Sequence, residues 1–300
     1  MDRYEEFRRA ATDRGIPAGE IDRFTGQLRF AIWTGKAGAD DTEAGQLGGL
    51  PRLPAGLEWP RADSYPLPFI GSVDCAALPR VDGLPLPEDG TLLFFLHHEE
   101  DMEGQPHEGA SEYARVLHVP AGTETTVADL PPGHDLSMFC EEIPFVIPEE
   151  RISAWVHPDL PEWLEDRDAE FETADVKQLL AELEHVDQLC ELVDELWPSP
   201  SRGSALRFGG YVSEVGSSDG PWTQMADDTL RNAPEPYLDL PREERFRRLH
   251  EEEDRLVREW VNLAQFYTQS DVYYGCFLIS AEDLAAGRFG EMRSYTMFTE

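Results

Sequence analysis

Two histidines precede three carboxylates in His97-His98-Glu99-Glu100-Asp101, and His107-Glu108 follows. Imidazole and carboxylate are the donor types of zinc and manganese sites. Adjacent side chains at a strand end leave on opposite faces, however, and neither an HExxH nor an HxxxH spacing occurs. His97, His98 and His107 are therefore weak metal candidates, and residues 97–112 read more simply as a solvated acidic loop. Gly216-Ser217-Ser218-Asp219-Gly220 fits the nucleophile pattern G-x-S-x-G, which needs a strand, a sharp turn and a helix that helps hold an oxyanion. Pro221-Trp222 follows with no helical pattern, so a flexible loop is expected there. No phosphate-binding or dinucleotide fingerprint is present, and Gly45-Gln46-Leu47-Gly48-Gly49 lacks a lysine. Among so many acidic residues, paired carboxylates single out nothing. No catalytic residue and no cofactor is expected.

Trp59 and Trp222 are more informative, because each stands near a glycine pair, Gly48-Gly49 and Gly209-Gly210. In one reading each indole caps a hydrophobic core and its N–H finds a backbone acceptor. In the other the two turns line a groove between related halves, with Gln224 and Gln265 supplying polar specificity.

The electrostatic setting is extreme. The 300-residue chain carries 25 basic and 60 acidic residues, a net charge of −35, and its only lysines are Lys36 and Lys177. The arginine bias reads as codon usage in a GC-rich genome, with adaptation to salt as the alternative. Nucleic-acid binding needs a basic face, and an anionic membrane repels such a chain, so neither is expected as a partner. An acidic surface instead steers a basic protein. The hydrophobic fraction of 41% can fill a sizeable core, which argues against wholesale disorder. No apolar run approaches 18 residues, and the opening Met1-Asp2-Arg3-Tyr4-Glu5-Glu6 has no signal-peptide pattern. A cytoplasmic location is expected, with Cys75, Cys140, Cys190 and Cys276 reduced.

The elements that must position these residues read as follows. Residues 2–14 form a polar helix closed by Gly15, and 17–24 form a second. Leu28-Arg29-Phe30-Ala31-Ile32-Trp33 is a first strand, and 34–49 a loop. The prolines of residues 48–74 exclude a helix. Residues 91–96 and 113–119 are strands, and Ile143 to Pro148 an edge strand. Asp175 to Trp197 has apolar residues at spacings of three and four, which predict one long amphipathic helix. Residues 201–225 read as glycine-rich extended chain and 242–259 as a charged helix. Residues 260–266 and 272–279 read as strands, and a short helix capped by Ser280 follows.

The two halves echo one another in order. Gly48-Gly49 anticipates Gly209-Gly210, Trp59 anticipates Trp222, and Phe69-Ile70-Gly71 anticipates Leu263-Ala264-Gln265. The expected fold class is α+β: internally duplicated, mostly antiparallel β-sheet halves sharing one core, with peripheral helices. The segments are an N-terminal helical part (1–30), a first β-rich half (31–158), an acidic linker with the long helix (159–200), and a second β-rich half with an inserted charged helix (201–300).

The run Gly48-Gly49-Leu50-Pro51, Leu57-Glu58-Trp59-Pro60, Pro66-Leu67-Pro68-Phe69 and Leu84 to Phe95 resembles the bacterial YwqG-like family. So does the C-terminal run Trp260 to Phe266, Tyr274-Gly275 and Glu282 to Phe289. The resemblance spans roughly residues 45–295. Two departures stand out: Gly71-Ser72-Val73 lacks the family's first glutamine, and Gly210-Tyr211-Val212 lacks its turn proline. The resemblance implies an α+β fold with internal duplication and supplies no catalytic residues.

The functional expectation is a non-enzymatic acidic protein that binds a basic protein partner, for example in an immunity-like role. The alternative is a small-molecule- or metal-dependent enzyme, or a ligand-binding protein, using a cleft between the halves. A homo-oligomer built on the apolar helix stripe is a third reading.

Overall fold

A computed structural model of the chain describes residues 2–62, 65–103, 110–134, 144–165, 174–200, 205–212, 220–234, 236–267 and 273–298. The architecture is α+β and centres on one large sheet. Its strands are β1 (Arg29–Lys36), β2 (Glu43–Leu47), β6 (Phe69–Asp74), β7 (Thr91–Leu96), β8 (Ala114–Val119), β10 (Glu150–Asp159), β11 (Leu206–Phe208), β12 (Trp260–Tyr267), β13 (Tyr273–Ser280) and β14 (Arg293–Phe298). They lie in the order β14-β13-β12-β11-β1-β10-β2-β6-β7-β8, and every neighbouring pair is antiparallel. Two small ribbons join β3 (Arg52–Pro54) to β9 (Thr125–Val127) and β4 (Arg61–Ala62) to β5 (Tyr65–Pro66).

The central pair β1–β10 runs in register from Arg29 opposite Asp159 to Lys36 opposite Ile152. From it two arms extend, β2-β6-β7-β8 on one side and β11-β12-β13-β14 on the other. The arms face each other across one core. Phe94 of β7 packs its ring 5.4 Å from Phe277 of β13 and 5.9 Å from Phe208 of β11. Ile32 and Ile152 of the central strands belong to the same cluster. The outer face of the second arm is covered by α7 (Pro221–Arg231) and α8 (Arg242–Glu259), through Met225 and Leu256 on Cys276 and Tyr295. The outer face of the first arm is covered by the proline-rich segment, through Leu53, Trp59 and Leu67 on Phe69 and Phe95. Strands buried on both faces need no polar alternation, which explains the uninterrupted Leu92-Leu93-Phe94-Phe95-Leu96.

Each edge strand is blunted by a segment from the opposite arm, as unpaired strand edges require. The helix α3 (His98–Glu103), which follows β7, lies on β14. There the buried Asp101 carboxylate accepts hydrogen bonds from the Ser294 hydroxyl and, at 2.9 Å, from Thr296 Oγ1. Phe289, in the helical turn just before β14, packs its ring 5.9 Å from His118 of β8. A second cluster joins α1 (Arg3–Asp13), α2 (Ala18–Thr25), α4 (Glu162–Glu165), α5 (Ala174–Ala181) and α6 (Val186–Leu196) to Phe30 of β1. Among the described residues no helix is long and apolar enough to cross a membrane. The last helix, α9 (Ala281–Ala285), is capped by Ser280, whose hydroxyl accepts from the Asp283 N–H at 3.0 Å.

Several expectations are corrected. The helix over Asp175 to Trp197 is two helices, because the chain turns at 182–185, where Glu20 accepts from the His185 N–H at 2.9 Å. Residues 34–49 contain β2, and residues 97–112 contain α3. No strand forms over 144–148; two prolines remove donors there, and the strand starts at Glu150 as β10. Residues 201–225 are not continuously extended, since α7 begins at Pro221, a residue suited to the first helical position, with Gly220 as its cap. The helix that the G-x-S-x-G reading lacked is thus present, while residues 216–219 lie outside the described residues.

Gly48 follows β2 with φ +63°, and a Cβ there would meet Pro148 O at 2.5 Å and Ile147 Cγ1 at 2.6 Å. Gly122 has φ +77° with nothing within 4 Å. Backbone strain alone costs about 1–3 kcal/mol; the clash adds to it only at Gly48. Gly48→Ala is therefore expected to lower unfolding stability clearly more than Gly122→Ala, as measured by urea denaturation of both variants.

Candidate functional site

Gly48 and Gly49, at φ +63° and +70°, turn the chain out of β2. The Gly48 N–H donates to Ile70 O at 2.8 Å and the Gly49 N–H to Ile147 O at 2.9 Å. Gln46 Nε2 donates to Gly48 O at 2.9 Å, which completes a backbone-like turn. Trp59 is buried; its Nε1–H donates to Leu67 O at 2.8 Å, and its ring packs on Phe95 and Phe145. A buried N–H without an acceptor costs about 1–3 kcal/mol, so Leu67 O is an integral part of this core. Trp59 also lines a depression of about 520 Å³ beside Leu57 and Leu130.

Gly209 and Gly210, at φ +71° and +68°, do the same after β11. Here they line a pocket of about 230 Å³ together with Trp222, Trp260, Arg29 and Asn262. The structure thus brings Gly209, Gly210 and Trp222 together, while Trp59 lines the other depression. Gln265 is buried in β12; its Nε2 donates to Tyr211 O at 3.3 Å and its Oε1 accepts from the Tyr274 hydroxyl. Gln224 lies in the first turn of α7, half-buried, with its N–H on Gly220 O.

Asn262 is the residue that sequence reasoning missed. The register of β12 against β13 shifts between Asn262 and Ala264, and Asn262 meets the glycine turn twice. Its carbonyl accepts from the Gly209 N–H at 2.8 Å, and its Nδ2 donates to Gly209 O at 3.0 Å. The second bond fixes the amide orientation and leaves Oδ1 as the free acceptor. Asn262 is 1% exposed, and Oδ1 is buried with no hydrogen-bond partner among the described residues. The only sequence signal was an amide, one of two with Gln265, inside the otherwise apolar run Trp260 to Phe266. Arg29 reaches the pocket with its guanidinium 4.1 Å from the Tyr211 ring centroid, and Arg258 stands exposed in the last turn of α8.

Residues 45–296 match a family model described as a domain of unknown function, DUF1963. The chain belongs to this family. No curated protein matches it. The matched span of the DUF1963 chain contains Asn262, both glycine turns, Trp59 and Trp222; Arg29 lies before it.

His97 and His98 are both buried at the start of α3. His97 Nδ1 accepts from the Glu100 N–H at 3.4 Å, and the His98 ring stands edge-on to Phe266 at 5.6 Å. His107 lies outside the described residues, as does Cys140. Among the described residues no group of three or more His, Cys, Asp or Glu side chains is placed to hold a metal. Burial pushes the Cys75 thiol up to about 11. Burial, followed by the neighbouring His97, pushes His98 down to about 3, and burial lowers His97 as well.

A folded-state value below that of the unfolded chain means that unfolding takes up a proton between those two values. Stability from His98 is therefore complete above about pH 6.5 and is lost as pH falls toward 3. In thermal melts between pH 7 and pH 4, His98→Leu is expected to lose less stability than the wild type. Equal losses would show that His98 does not set acid sensitivity.

Proposed function

We propose that this DUF1963 chain is a binding protein whose ligand site is the pocket at the Gly209-Gly210 turn. One observation carries the reading: Asn262, in the wall of a pocket flanked by two indoles, holds a buried acceptor without a partner among the described residues. Such an orphan costs about 1–3 kcal/mol, and a bound donor removes that cost. Pockets that combine apolar walls with a few fixed polar groups are the usual form of ligand sites. At a hundredfold excess over Kd a ligand stabilises by about 2.7 kcal/mol. A thermal-shift screen with small acids, amines, sugars and nucleosides is expected to yield compounds that raise the Tm of the wild type and not of Asn262→Ala. Trp222→Ala, which leaves the turn intact, is expected to weaken the same compounds. A screen in which no compound distinguishes the variants from the wild type overturns the reading.

We also propose that the two arms are repeats of one ancestral unit, as the YwqG-like resemblance implies. The strand order supports this, since it reads alike from either end around β1 and β10. The in-register row Gln46-Ser72-Leu93 ahead of Gly48 has its counterpart in Arg207-Gln265-Cys276 ahead of Gly209. On this reading the repeat boundary precedes β10, and the dyad passes through the pair Gly35–Ser153. The carbonyl that receives the glycine N–H then belongs to Ile70 in one repeat and Asn262 in the other, which favours a polar site in the second arm alone.

A second reading keeps the basic protein partner, in a cytoplasmic and immunity-like setting, and it is favoured by the net charge of −35. Capture from lysate beside an equally acidic control is expected to retain one stoichiometric basic protein, released as salt rises and screening shortens. Association insensitive to salt, or shared with the control, counts against it.

A further inference from the structure

We infer that the Gly209-Gly210 pocket takes a small organic monocarboxylate that carries an N–H or O–H donor. The inference rests on the pocket being a ligand site, and it names the ligand's chemistry. The charged members of the lining are Arg29, Arg258 and Asp82, so the pocket is net positive by one charge inside a chain of −35. Arg151, Arg231, Arg247, Arg255 and Arg288 are examples of arginines that lie against at least one carboxylate of the chain. Among the described residues Arg29 and Arg258 have no carboxylate within ion-pair distance. Two guanidiniums against a single carboxylate in the lining of one pocket, neither of them held by a carboxylate among the described residues, point to an anion supplied from outside. Guanidinium matches carboxylate in planarity and donor spacing.

The single net charge and the acidic surroundings favour a monoanion over a phosphate dianion. Asn262 supplies the opposite requirement, because its Oδ1 accepts and cannot donate. A donor on the ligand reaches it through a small shift of the pocket wall, since Oδ1 is closed off from bulk water. Trp222 and Trp260 offer flat apolar walls to the body between these ends. A cavity of about 150 Å³ holds benzene, so 230 Å³ admits only a compact ligand on the scale of a hydroxy acid or an N-acyl amino acid.

The test is calorimetric titration of the full chain with glycolate and N-acetylglycine, beside glycolamide, N-acetylglycine methyl ester and inorganic phosphate. The two acids are expected to bind, and the neutral analogues to bind about tenfold or more weakly, as loss of a charge-assisted hydrogen bond dictates. Arg258→Gln, at an exposed position, is expected to raise Kd for the acids about tenfold and to leave the neutral analogues unchanged. Asn262→Leu is expected to weaken the acids while Arg29 and Arg258 remain. Equal binding of acids and neutral analogues, or tighter binding of phosphate, overturns the carboxylate inference and leaves the pocket standing. Binding of the acids that survives Asn262→Leu places them elsewhere and overturns it too. Absence of binding by every probe overturns the inference, and the broader thermal-shift screen then decides the pocket itself.

Discussion

The pairing of β1 with β10 is the constraint on which the rest of the molecule depends. Eight consecutive residues of β1 are matched to β10, and each of these strands carries one arm on its other edge: β1 holds β11, and β10 holds β2. One continuous sheet can then close on itself, so that Phe94 from one arm meets Phe208 and Phe277 from the other. Large aromatics bury the most apolar area per residue, and three of them at this junction weld the two arms into one core. Neither arm has an inner core of its own to fall back on. The same closure brings the edges near segments of the opposite arm, so that α3 covers β14 and the turn at Phe289 covers β8.

Within so apolar an interior the polar exceptions carry the most information. Asp101 is fully buried, and its carboxylate is met by hydroxyls of Ser294 and Thr296. It therefore acts as a polar tie between α3 and an edge strand. Asn262 differs, because only half of its amide is satisfied by the protein. Of these two groups of comparable burial, one is thus tied into the architecture through both oxygens, and the other has an oxygen with no partner among the described residues.

Much of the scaffold was legible in sequence. Leu92 to Leu96, Trp260 to Phe266 and the charged helix Arg242–Glu259 carry local patterns strong enough to name their elements. The glycine pairs announced turns, and both turns have the left-handed backbone that only glycine adopts at low cost. The failures share one cause. β2 (Glu43–Leu47) and β10 are strands because a neighbour pairs with them, and Glu43-Ala44-Gly45-Gln46-Leu47 has no strand pattern of its own. The helical stripe at 175–197 continues across a break imposed by Glu20, which is far away in the chain. Of the candidate site, Trp222 and the second glycine pair were legible. Asn262 was not, since its importance comes from the irregular register of β12 beside Gly209 rather than from any spacing.

The long stretch of chain between β2 and its partner β10 has a consequence for how the chain is made. β2 leaves the ribosome with one edge bare, and the strand that covers it, β10, begins only at Glu150. At about 5–20 residues per second, synthesis from Leu47 to Asp159 keeps that edge open for on the order of ten seconds. An uncovered strand edge is a template for pairing with other chains. The nascent first arm is thus the stage of greatest exposure to misassembly, and it passes through that stage with the acidic run Glu99-Glu100-Asp101 beside β7.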